Sequence, residues 1–154
     1  MAWFKRIFIT LVGIVATLLI FFFLFSDSYR YSIEARMKYF MGDYKKAIEL
    51  AQKAFELDPY NKMAFSILAQ SKICIKFADY IQDAKIYLKK IEEISKKKVI
   101  TKADKIKIKM ITEVMIARFK KLSPTVMTDK KLYKKSKEYY EKFLKIYNKV
   151  KEID

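Results

Sequence analysis

The apolar residues of this chain first run together and then settle into a helical rhythm. From Ile7 to Phe25 the sequence reads IFITLVGIVATLLIFFFLF, nineteen residues without a charge. At about 1.5 Å rise per residue, a helix of that length covers roughly 28 Å, near the hydrocarbon thickness of a bilayer. Further on, Tyr44, Ala47, Ile48, Ala51, Ala54 and Phe55 recur with a period close to 3.6 and predict an amphipathic helix. Asp58-Pro59 ends it, because the residue before a proline avoids the α region. Asn61 is placed to cap the next helix, whose packed face is expected to carry Phe65, Leu68, Ala69, Lys72 and Ile73. Upstream, Gly42-Asp43 closes an earlier helix bearing Ala35, Tyr39 and Phe40. Two more helical patterns follow. Lys102 to Leu122 carries Ile108, Ile111, Met115, Phe119 and Leu122 and stops before Ser123-Pro124. Asp129 then caps a last helix with Leu132, Tyr139, Tyr140, Phe143, Tyr147 and Val150.

Composition narrows the fold to one class. With only two glycines and two prolines, the chain lacks the turn residues that a β fold needs, so an all-α protein is expected. It has no histidine and one cysteine, Cys74. That count excludes an internal disulfide, a His-activated nucleophile and metal sites built from His and Cys. The acids are scattered over helix surfaces, and the neighbours Glu92 and Glu93 diverge around their helix. No enzyme, catalytic residue, cofactor or metal is therefore expected.

The uncharged run reads as an uncleaved signal anchor. A cleaved signal peptide has a shorter apolar core and a small-x-small cleavage site, whereas this run ends in Phe21, Phe22, Phe23 and Phe25 before SDSYRY. Lys5 and Arg6 precede it; Arg30, Arg36 and Lys38 follow, interrupted by Asp27 and Glu34. A short positive N-terminus before a long domain favours the domain on the far side. In a bacterium this means a single pass through the inner membrane and a periplasmic domain. Thr10, Gly13 and Thr17 share one helical face, where small residues let membrane helices approach closely.

The stretch GDYKKAIELAQKAFELDPYNKMAF resembles the tetratricopeptide repeat, a unit of two helices that recurs about every 34 residues. Tyr31 falls at its first large position and Ala35 at the small position of helix A. Gly42, Asp43 and Tyr44 stand at the turn, Ala47 and Ala54 at the small positions of helix B, and Pro59 at the exit. Phe65 and Ala69 repeat Tyr31 and Ala35 one period later. ADYIQDAKIYLKKI resembles the second half of a repeat, with Ala84, Leu88 and Ile91 in place. It arrives three residues late, so a stretched turn is expected around Phe77 to Tyr80. Together the apolar run, the resemblance and the last two helical patterns give an N-terminal transmembrane helix (residues 1–27), tetratricopeptide-like repeats (28–98) and a basic C-terminal helical hairpin (99–154) that serves as a degenerate repeat or a cap.

Such repeats bind peptides or proteins in the groove lined by their A helices. Carried over, the groove is Ser32, Arg36, Tyr39 and Phe40, then Ser66, Gln70, Ile73 and Cys74. Arg36 with Gln70 would grip a backbone or carboxylate, and Tyr39 with Phe40 would form an apolar wall. Anchored repeat proteins of this kind serve envelope machines such as translocons, cytochrome maturation systems, pili and flagellar motors. The resemblance therefore implies a non-enzymatic scaffold with a protein partner. Charge offers a second reading. The chain carries 33 basic and 17 acidic residues, a net +16, and more than half of the excess falls from Thr101 on. Lys130, Lys131, Lys134, Lys135 and Lys137 form a basic surface suited to anionic lipid headgroups. Nucleic acid is less favoured, because phosphate readers lean on arginine forks and this chain has four arginines.

Overall fold

The computed structural model describes residues 2–151, apart from the side chains of residues 2 and 22–25. Phe22, Phe23 and Phe25, which close the apolar run, thus lie outside the described side chains. The described residues form six helices and no strand: α1 (Ala2–Phe25), α2 (Asp27–Phe40), α3 (Tyr44–Leu57), α4 (Lys62–Ser95), α5 (Lys102–Lys120) and α6 (Lys130–Lys151). The chain groups into two compact units, residues 1–72 and 73–154, and the division falls within α4.

In the first unit, Ser26 alone separates α1 from α2, its backbone extended at φ −79° and ψ 113°. The turn between α2 and α3 is dictated by Gly42, whose φ of +80° lies in the left-handed region that L side chains rarely adopt. Around it the Gly42 N–H donates to the Tyr39 carbonyl and the Asp43 N–H to the Lys38 carbonyl, both at 3.0 Å. This pair of bonds is the Schellman ending of a helix, and it satisfies two carbonyls that would otherwise be orphaned. Asp43 then starts α3 by accepting a bond from the Lys46 N–H. Contacts run in opposite order along the two helices, with Ser28 against Ala54 and Tyr39 against Tyr44. Ala35, Ala47, Ala51 and Ala54 are fully buried, and the first three pack in one cluster with Leu50, Ile67 and Leu68.

A buried polar node ties this hairpin to α4. Asn61 accepts from the Met63 and Ala64 N–H groups through Oδ1, capping the helix as expected. Its Nδ2 donates to Ser28 Oγ at 2.9 Å and to Ser32 Oγ at 3.3 Å, and Ser28 Oγ donates onward to the Ala54 carbonyl. Three helices thus share one set of satisfied bonds. The buried face of α4 in this unit is Ala64, Ile67, Leu68 and Ser71, turned from the expected one. Phe65 stands more than half exposed, its ring 6.3 Å from that of Phe55. The cause is Asn61: once its side chain is drawn into the node, Ala64, three residues on, must follow it inward.

The turn expected at Phe77 to Tyr80 does not exist. α4 runs unbroken through it. No glycine or proline interrupts the stretch, and Phe77 and Tyr80 are both buried, which rewards helix continuation over a loop. In the second unit, Tyr80, Ala84, Ile91 and Ile94 of α4 pack with Ile108 and Met115 of α5 and Phe143 of α6. Phe119 lies 4.6 Å from the Tyr140 ring, stacked on it. Thr101 and Asp104 form a reciprocal capping box at the start of α5. Asp104 also takes the Lys97 ammonium at 2.5 Å. These bonds, the one from Lys97 first and those from Thr101 next, hold the Asp104 carboxyl at about 2, well below its ordinary range. Asp129 accepts from the Leu132 N–H and so starts α6 as predicted.

Candidate partner-binding face and apolar helix

α1 is exposed along all of its described side chains, although nearly every one is apolar. Its Trp3–Phe21 segment is long and apolar enough to cross a membrane. Within it, Thr10 Oγ1 donates to the Ile7 carbonyl at 2.8 Å, and Thr17 Oγ1 to the Gly13 carbonyl at 2.8 Å. Both hydroxyls are therefore satisfied inside the helix, leaving methyl groups outward. With Ile14 and Leu18 these residues line a shallow depression, and a Cβ added at Gly13 would meet nothing within 4 Å.

The groove residues separate into two groups. Arg36 and Phe40 are exposed, and the guanidinium lies over the Phe40 ring, 5.6 Å from its centroid. Tyr39 is half-buried; its ring meets Phe40 edge-on at 5.7 Å and Tyr44 at 5.5 Å, and it packs against the unit's core. Ser66 and Gln70 on α4 are half-buried in the same unit. Ser32 is closed to solvent: Asn61 donates to it, and it donates to the Tyr29 carbonyl. Its role is structural. Ile73 and Cys74 belong to the second unit, Ile73 half-buried and Cys74 fully buried.

What sequence reasoning missed is the rest of the exposed α2 face. Ile33, Met37 and Met41 stand in solvent as well, on the same side as Phe40, itself 72% exposed. Their spacing of four, three and one residues puts them on one side of the helix, opposite Ala35. The signal was visible as two superposed stripes on α2. The repeat pattern drew attention to the inward one.

On α6, Lys130, Lys131, Lys134, Lys135 and Lys137 are all exposed. By helical register they occupy the side away from the buried Ser136 and Phe143, with Glu138 and Glu141 among them. They crowd the N-terminal half of the helix.

Comparison with known protein families, with curated proteins and with solved structures finds no match for this chain.

Proposed function

We propose that this protein is a non-enzymatic, single-pass membrane scaffold of the tetratricopeptide kind. It holds a protein partner and acts as a subunit or assembly factor of a cell-envelope machine. The observation that carries this reading is the pairing of an exposed apolar α1 with an α2–α3 hairpin that begins one residue later and leaves an apolar α2 face in solvent. An exposed helix of this length is stable in lipid, where its backbone bonds are satisfied internally. The hairpin's alanine crossing and glycine turn are the features that the repeat resemblance rests on. Lys5 and Arg6, in the first turns of α1 and ahead of its uncharged run, favour the N-terminus in the cytoplasm and the helical units in the periplasm. The α2 face supplies the contact: Ile33, Met37 and Phe40 give apolar area, and Arg36 beside them takes a carboxylate or backbone carbonyl.

The test is crosslinking of the full-length protein in its native membrane, read by mass spectrometry. A stoichiometric protein partner that is lost when Arg36 and Phe40 are both changed to Ala, and kept when Lys134, Lys135 and Lys137 become Glu, supports the scaffold. Tyr39 is left intact because it packs on the core. The opposite pattern, with recovery of anionic lipid that salt removes, favours the second reading: a basic α6 held against anionic headgroups. The five exposed lysines gathered on one side of α6 motivate that alternative.

A further inference from the structure

α5 is apolar on two sides. Ile108, Thr112 and Met115 face the core of the second unit, yet Ile106, Met110 and Val114 stand 51%, 61% and 50% exposed. They are spaced four residues apart and form one stripe, which Ala103 and Ala117 extend at either end. From Ala103 to Ala117 the stripe is roughly 21 Å long at 1.5 Å per residue. Beside it, Tyr87 of α4 joins Met110, Ile111 and Val114 to line a cleft of about 180 Å3. Lys90 places its ammonium over the Tyr87 ring, 5.2 Å from the centroid. By helical register, exposed Lys107 flanks the stripe on one side and exposed Lys102 and Lys120 on the other, with Glu113 the acid at that edge.

We infer that this stripe and cleft are a docking surface for an acidic amphipathic helix of a partner protein. The length fits three to four turns of helix, whose apolar residues at spacings of three and four would enter the Tyr87–Met110–Val114 cleft. Glutamates or aspartates on its flanks would meet the lysine frame. Met110, unbranched and polarizable, adapts to such a partner. A second copy of this chain is disfavoured, because it would bring the same lysines face to face in a molecule of net charge +16. A bilayer surface is disfavoured because the stripe offers neither Trp nor Phe, the side chains that anchor interfacial helices. This surface shares no residue with the α2 face, and either can fail alone.

The experiment places a photo-crosslinking amino acid at position 110 of the full-length chain in its native membrane and sequences the captured segment. The expected product is an acidic segment with apolar residues at three- and four-residue spacing. Made as a peptide, that segment should bind the full chain in phosphatidylcholine nanodiscs. Changing Met110→Glu and Val114→Glu together should weaken binding at least tenfold, while Val126→Glu, at an exposed apolar residue off the stripe, leaves it unchanged. Lys107→Glu with Lys102→Glu should weaken it and flatten its salt dependence. Capture of lipid, of this chain itself or of a neutral or basic segment would overturn the inference. So would the absence of any product, or a peptide whose binding ignores the Met110 and Val114 changes.

Discussion

Asn61 illustrates how one side chain sets the geometry of a unit. It caps α4, and it donates to Ser28 and Ser32 of α2 inside the protein. Replacing it with Ala leaves buried N–H groups at the start of α4 without an acceptor. We expect Asn61→Ala to lower the unfolding free energy by about 2 kcal/mol, the cost of a lost cap together with desolvated donors. Urea titration checks this, and a loss under half a kcal/mol would mean the node contributes little. Asp104 gives a pH test. Its folded value of about 2 lies below its ordinary 3.8, so its stabilising effect is complete above pH 3.8 and disappears as pH falls through about 2. The wild-type advantage in melting temperature over Asp104→Asn should therefore shrink steadily between pH 4 and pH 2. A difference that does not change with pH would show that the Lys97 and Thr101 bonds do not act on this carboxyl. Tyr80 lies at the opposite extreme: burial raises its phenol, and its hydroxyl has no partner among the described residues.

Among the elements, α4 departs furthest from its sequence reading. A repeat pattern puts a turn near Phe77; the chain puts helix there. Exposed Asp79 provides a direct probe, because proline is tolerated in a turn and breaks a helix interior. Asp79→Pro should cost about 3 kcal/mol or more, against a few tenths for Asp79→Ala. Thermal unfolding of both variants distinguishes the two structures, and a proline variant as stable as the alanine one would restore the turn. The residues explain why the pattern misled. Ala84, Leu88 and Ile91 recur at helical spacing whether or not a turn precedes them, so periodicity identified the helix without fixing where it began. The turn at Gly42 was legible because only a left-handed residue can close it, and Gly42 supplies one.

For the whole molecule the strongest expectation concerns α1. If it spans a bilayer, full-length protein should remain in the membrane pellet after alkaline carbonate extraction, when peripheral proteins are released. Changing Val12 and Leu19 to Lys, each outside the depression at Gly13, should move most of it to the supernatant, since a lysine at bilayer depth costs about 3 kcal/mol. Release of the unaltered chain by carbonate would exclude the anchor. Under the proposed reading, a domain held this way would meet its partner at high local concentration, so the α2 face would need only modest affinity. The net charge of +16 would add to this if the partner is acidic.

Much of what depends on neighbours along the chain was already legible in the residues, though not the unbroken run of α4 through Phe77 to Tyr80. The sequence by itself determined the all-helical class from the scarcity of glycine and proline, the apolar α1, the Gly42 and Pro59 breaks, and the caps at Asn61 and Asp129. Each of these is local, decided by the allowed φ and ψ of one residue or by a side chain reaching a backbone group three positions away. The tertiary structure decided which of two apolar faces goes inward. On α2 and α5 both faces are apolar, and periodicity cannot rank them; burial of Ala35 and Met115 left Ile33, Met37 and Phe40, and Ile106, Met110 and Val114, outside. It also removed Ser32 and Cys74 from solvent, because Ser32 is drawn into the Asn61 node and Cys74 onto the buried side of α4. Packing is a choice among surfaces distant in sequence, and those surfaces exist together only once the chain has folded.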